Sequence, residues 1–228
     1  MALTLYLHPL ASFCHKVLIA LYENGTPFEA SIVDFADAGS AAAHLERWPV
    51  GKIPVLHDGG TGRVVPETSV IIEYLQHHHP GPVQLLPDDP ERLLDVRLWD
   101  RFYDLYVSAP MQKIVLDRIR PEGARDPHGV AEARATLDTA YAMVERQLQG
   151  RRWATGDDFT MADCSALPAL FFASIVQPFG AEQRQLAAYL ERLLQRPSVE
   201  RVITEARPYF RFFPYLDAMP RRFLEAAG

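Results

Sequence analysis

A change of pattern near residue 80 constrains this chain more than any other feature. Before it, short strand-like runs alternate with helix-like ones; after it, every periodic segment is helical. Residues 3–7, LTLYL, read as a buried strand. Cys14, Val17, Leu18 and Leu21 follow the i, i+3, i+4, i+7 spacing of an apolar helix face, which predicts a helix over 12–24. Ser12 is its expected N-cap, and Asn24-Gly25 its stop. FEASIVDF then alternates like a strand, and a weaker helical pattern covers 37–46. KIPVLHD and RVVPE flank the turn DGGTG as a hairpin, and ETSVIIEYLQHH reads as a helix beginning at Glu67. A strand–helix–strand unit demands parallel pairing, and the hairpin adds an antiparallel edge.

The segment HPGPVQLLPDD carries three prolines and reads as a linker over 79–88. Helices are expected at about 89–120, 127–149, 161–175, 182–195 and 197–206, followed by an aromatic-rich tail. The expectation is an α/β domain over 1–78 and an all-α bundle over 89–228. The 228 residues are enough to bury a core in such an arrangement.

The net charge of -6 argues against nucleic acid, which needs a basic surface. Cys14 and Cys164 lie far apart and make no disulfide framework, which suits a reducing compartment. The opening MALTLYLHPLA lacks the basic start and long apolar stretch of a signal peptide. With no run of eighteen apolar residues, a cytoplasmic protein that does not engage a membrane is expected.

Three motifs carry further information. In VGKIPVL (50–56), Pro54 stands at a strand start beside a turn. A cis Ile53-Pro54 bond would expose the Ile53 backbone to a ligand, but cis is only about 5–6% of X–Pro bonds, so the bare sequence favours trans. In PETSVIIEYL (66–75), Glu67, Thr68 and Ser69 open a helix directly after a strand. They serve either as ordinary caps or as an anion site, with Glu67 free to hold an ammonium group. In GDDFTMADC (156–164), Thr160 and Asp163 make a capping box, and Phe159 and Cys164 a hydrophobic staple. That motif is structural.

The order of these motifs, with the run FCHKVLIALYENGTPFE, resembles the cytosolic glutathione transferase superfamily, and its bacterial members in particular. The resemblance covers the whole chain and is tightest over the first 78 residues and 153–166. It implies a thioredoxin-like first domain that holds glutathione, a helical second domain that builds a hydrophobic co-substrate pocket, and a homodimer. It further implies that Pro54 is the family's cis-proline, with the Ile53 backbone pairing the cysteinyl part of glutathione. Glu67 and Thr68 match the acidic–hydroxyl pair that grips the γ-glutamyl end, with Thr68 where serine is usual. Lys52 is the candidate for the glycyl carboxylate. No metal is implied.

For the sulfur, the resemblance points to Ser12 as the thiolate-stabilising hydroxyl. Counted back from Lys16, serine-type relatives place the serine either four residues earlier, here Ser12, or five, here Ala11. The alternatives are the backbone N–H groups of Ser12 and Phe13, or Tyr6. Cys14 belongs to the apolar helix face and sits about 200° from Ser12, so a buried, inert thiol is expected. His77, His78 and His79 fan out by about 100° each, which suits a solvated helix end better than a shared metal ion. Lys16 is expected to be solvated or paired. In WDRFYDLY (99–106), Tyr103 and Tyr106 are candidates for the hydrophobic pocket, and the tail RPYFRFFPYL is expected to fold over the cleft or the second domain.

The expected activity is addition of the glutathione thiolate to a hydrophobic electrophile. The rivals are a glutathione-dependent disulfide reductase or peroxidase, and a non-catalytic binding protein on the same fold.

Overall fold

Leu3, Leu5 and Leu7 alternate in burial and turn one face of β1 (Leu3–Leu7) into the core in this computed structural model, which describes residues 2–225. Helix α1 (Ser12–Glu23) crosses from β1 to β2 (Phe28–Ile32), and the two strands pair in parallel, Leu3 against Phe28 through Leu7 against Ile32. After α2 (Ala38–Arg47), strands β3 (Val55–Asp58) and β4 (Arg63–Pro66) form the hairpin, with β3 antiparallel to β1. The sheet order is β2-β1-β3-β4, and α3 (Thr68–His78) follows. Gly62 closes the hairpin turn at a φ of 70°, a left-handed backbone that costs glycine nothing, and its N–H donates to the Asp58 carbonyl at 2.8 Å.

The second domain begins at α4 (Pro90–Phe102), capped by Asp89, which accepts from the Arg92 N–H at 2.9 Å. The sequence pattern predicts one helix to about residue 120. Instead, Tyr103–Ser108 forms a π-helical turn before α5 (Ala109–Arg118). Helices α6 (Pro127–Gln147), α7 (Met161–Val176), α8 (Arg184–Leu194) and α9 (Pro197–Ala206) complete the bundle. Short 3₁₀ turns and α10 (Arg221–Leu224) end it.

Helix α7 is buried on nearly every side, as a stretch that reads MADCSALPALFFASIV requires. Its start is fixed by Asp163, which is fully buried and accepts from the Thr160 N–H and the Ala154 N–H at 2.8 Å each and from the Tyr189 hydroxyl at 2.5 Å. One continuous apolar core runs from Leu3 to Met219 through both domains, with α1 packed on α7 and α9.

A polar cluster is set into that junction. Lys16, only 1% exposed, places Nζ 2.6 Å from Asp100 Oδ1, 2.9 Å from Asp104 Oδ2 and 3.0 Å from Ser69 Oγ. The Ser69 hydroxyl donates to Asp100 Oδ2 at 2.6 Å, and Ser165 to Oδ1 at 2.5 Å. Among the described residues no helix is long and apolar enough to cross a membrane.

Candidate active site

The N-terminus of α1 is shaped by what precedes it. Ala11, in extended backbone, occupies the N-cap position and accepts from the N–H groups of Cys14 at 2.9 Å and His15 at 3.2 Å. Ser12 is therefore the first residue inside the helix and not its cap, as the sequence pattern suggested, because the chain turns one residue earlier through the Ala11 N–H to His8 carbonyl bond at 3.0 Å. With no capping side chain, the N–H groups of Ser12 and Phe13 have no protein acceptor among the described residues. Ser12 Oγ accepts from Gln112 Nε2 at 3.4 Å, across the boundary between the domains.

The second wall is the loop before β3. Its Ile53-Pro54 bond is cis, as the family resemblance implies and the bare sequence does not. Buried His44 donates from Nε2 to the Lys52 carbonyl at 3.0 Å and fixes the approach to that bond. The third wall is the start of α3. Glu67 sits at a φ of 68°, a left-handed backbone rare for a residue with a side chain. Its carboxylate makes no capping bond, so it is free for another partner. Thr68 follows as the first helical residue and is nearly buried.

These walls enclose a cleft of about 480 Å³ that brings together Ser12, Phe13, Lys52, Ile53, Pro54, Glu67 and Thr68. These seven first-domain candidates thus line one cleft, whereas Tyr6, the remaining alternative for the sulfur, does not line it and lies under the Arg47 guanidinium. The helical domain adds Arg101, Asp104, Leu105 and Gln112, none of which the sequence reading picked out. Burial raises the Asp104 carboxyl above the usual carboxylate range, against the opposing pull of Lys16.

A second cavity of about 630 Å³ adjoins the first and shares Ser12, Lys52, Ile53 and Gln112 with it. Its lining is largely apolar, with Leu10, Val33, Met111, Val115, Leu116, Ile119 and Phe172. Phe212, Phe213 and Pro214 of the aromatic tail also line it, so the tail does fold over the cleft. Tyr103 and Tyr106 do not line either of these cavities. Tyr103 is fully buried against Trp99 and Phe102, and Tyr106 is half exposed beside Phe102. Helical spacing accounts for the correction: Asp104 and Leu105, three and four residues on from Arg101, share its side toward the cleft, while the two tyrosines lie on the opposite side with Trp99 and Phe102.

The remaining nucleophiles and bases lie outside the chemistry. Cys14 is fully buried, and burial pushes its thiol up to about 12. His15 is also fully buried, which lowers its pKa to about 4, and Nε2 donates to the Pro9 carbonyl at 2.6 Å. His77 and His78 are exposed as expected, but His79 is not simply solvated. Its Nε2 lies 3.2 Å from Asp58 Oδ2, which also accepts from the Tyr74 hydroxyl at 2.7 Å. Among the described residues no group of three or more His, Cys, Asp or Glu side chains could hold a metal ion.

Comparison with known proteins agrees with this geometry. Residues 11–78 match the family model described as glutathione S-transferase, N-terminal domain, and residues 127–208 match glutathione S-transferase, C-terminal domain. Glutathione S-transferase GstB of Escherichia coli K12 is 25% identical over 191 residues, spanning 82% of this chain and 91% of its own. A glutathione S-transferase of Methylobacterium radiotolerans, solved in complex with glutathione sulfonate, is 30% identical with a TM-score of 0.76, covering 89% of this chain and 94% of its own. One from Methylobacillus flagellatus, solved with glutathione bound, is 25% identical with a TM-score of 0.79, covering 88% and 98%.

Proposed function

The chain belongs to the glutathione S-transferase family, and from that premise we propose that its cleft binds glutathione and adds the thiolate to an apolar electrophile held in the adjoining cavity. The observation that carries this reading is the uncapped start of α1 facing the same cleft as Lys52, Glu67 and Thr68. Glu67 would hold the γ-glutamyl ammonium, Thr68 the neighbouring carboxylate through its hydroxyl and the free start of α3, and Lys52 the glycyl carboxylate. The Ile53 backbone beside cis-Pro54 would pair with the cysteinyl residue.

This seating delivers the sulfur to Ser12 and to the free N–H groups of Ser12 and Phe13. A free thiol near pKa 8.5 is only a few per cent ionised at neutral pH. Hydrogen-bond donors and the positive helix end favour the anion and lower that value. The thiol proton leaves to solvent. The sulfur lone pair then forms a bond to the electrophilic carbon while the leaving group departs with its bonding electrons. Holding both partners in adjoining cavities supplies the proximity. The apolar lining of the second cavity selects a hydrophobic electrophile.

A disulfide-reductase reading in which the protein itself supplies the thiol needs a reactive cysteine, and Cys14 is sealed in the core with its thiol pushed up to about 12. The two buried free cysteines suit a cytoplasmic setting. Exposed Val64, Val70, Leu94 and Leu98 on β4, α3 and α4 provide an apolar face that a second copy would cover in a homodimer.

The test is a panel of an activated aryl halide, a mixed disulfide and a hydroperoxide, each with glutathione. Turnover of the aryl halide that falls at least tenfold in Ser12→Ala supports the reading, since losing one donor to an anion removes about 2.7–4 kcal/mol. Turnover confined to the disulfide or hydroperoxide, or no glutathione binding, would overturn it.

A further inference from the structure

Gln112 stands on α5 at the seam of the two cavities and lines both. Its amide crosses from the helical domain to the first domain, where Nε2 donates to Ser12 Oγ at 3.4 Å. A serine hydroxyl offers one proton and two lone pairs. A bond received from Gln112 uses a lone pair and leaves the proton free. The usual local acceptor for a helical serine is the carbonyl four residues back. Here that is His8, which precedes the helix, and among the described residues the Ser12 hydroxyl makes no bond to its carbonyl. Gln112 is the only side-chain partner of Ser12 Oγ among the described residues.

We propose that Gln112 is a positioning residue for sulfur activation: by occupying a lone pair of Ser12 Oγ, it directs the hydroxyl proton to the glutathione sulfur. This rests on Ser12 being the donor to that sulfur, as read above. Hydrogen bonds in a chain polarise one another, so a donor received by Oγ also makes its own proton a better donor. Sulfur activation in the first domain then depends on a side chain of the second. Because the same amide walls the apolar cavity, contact with the electrophile and control of the thiolate converge on one residue.

Chemistry at position 112 should then separate by donor and acceptor. Gln112→Ala removes the donor. Gln112→Glu replaces it with an acceptor that takes the Ser12 proton for itself and sets a negative charge near the thiolate. The effect of each is read in the wild-type and Ser12→Ala backgrounds by titrating thiolate absorbance of bound glutathione and by aryl-halide turnover. Gln112→Ala is expected to raise the bound thiol's pKa by about 0.5 to 1 and to lower turnover about three- to tenfold, the worth of one neutral hydrogen bond. Gln112→Glu is expected to exceed both changes. In the Ser12→Ala background the effect of Gln112→Ala should shrink to nearly onefold, because the amide acts through Ser12, and that of Gln112→Glu should shrink to the part its negative charge exerts on the thiolate directly.

Affinity for S-methylglutathione, which has no thiol to titrate, reports the integrity of the cleft and should stay at the wild-type value in Gln112→Ala. A wild-type thiol pKa in Gln112→Ala, an equal effect in the Ser12→Ala background, or a loss of S-methylglutathione affinity matching the loss of turnover would each overturn the proposal. A silent Ser12→Ala with intact glutathione binding would instead overturn the parent reading of Ser12, so the two failures are distinguishable.

Discussion

Replacing Lys16 by Met keeps most of the side-chain volume and deletes only the charge at the domain junction. Lys16 Nζ lies 2.6 Å from Asp100 and 2.9 Å from Asp104, and the three side chains are 1%, 1% and 7% exposed. Without the cation, two carboxylates face each other in the interior with the Ser69 and Ser165 hydroxyls as partners and Arg101, at 3.3 Å from Asp104, as the nearest positive group. Removing one partner of such a buried cluster costs about 3–5 kcal/mol. For a chain of this length each kcal/mol moves the melting point by about 2–4 °C, so a drop of about 6–20 °C is expected at pH 7. The pH dependence has a definite sign. Burial already raises the Asp104 carboxyl, and Lys16 opposes that rise, so its loss raises the folded-state value further. A carboxyl whose pKa is higher folded than unfolded takes up protons on folding. Its favourable contribution is complete below the ordinary carboxylate range and is lost as pH rises through the folded value. The deficit of Lys16→Met must therefore shrink as the pH is lowered from 7 toward 4. Scanning calorimetry of both proteins across that range decides the matter. A melting point within about 2 °C of wild type at pH 7, less than 1 kcal/mol, or a deficit that grows on acidification, would refute this account of the junction.

Three further outcomes are expected. Glu67→Ala and Thr68→Ala should each weaken glutathione binding by about 1.5–3 kcal/mol, roughly tenfold or more, in calorimetry, with little change in melting point because their side chains face the cleft. Cys14 should resist thiol reagents in the native state and react only on unfolding, and Cys14→Ala should retain transferase turnover; rapid native labelling would contradict the burial and the thiol pushed up to about 12. Light scattering at micromolar concentration should give a dimer, and a stable 25.7 kDa species would count against the proposed interface.

The elements legible in the sequence are those whose signal is local. LTLYL, the apolar face of 12–24, the DGGTG turn and the Thr160–Asp163 cap each appear where periodicity or capping chemistry places them. Glu67 and Thr68 were likewise legible, because a strand running directly into a helix must expose the helix's first N–H groups. What escaped depends on contacts between distant segments. Lys16 is a surface residue by type, and only the approach of Asp100 and Asp104, some ninety residues on, makes it a core one. Gln112 gives no periodic signal, and its meaning comes from its place opposite Ser12. The placement of Tyr103 and Tyr106 at the pocket rested on the family resemblance: helical spacing groups them with Trp99 and Phe102, as the structure has them, but does not say which face of the helix meets the cleft. The cis bond at Pro54 is invisible to composition and was legible only through the family resemblance.

The central claim is that this cleft seats glutathione with its sulfur at the uncapped start of α1. Thiolate absorbance of glutathione bound to the wild-type protein, titrated against pH, tests it most directly. The account predicts saturable binding and a titration midpoint clearly below about 8.5, the value of a free thiol. A bound thiol that titrates at or above that value, or no saturable signal at any pH, would contradict it.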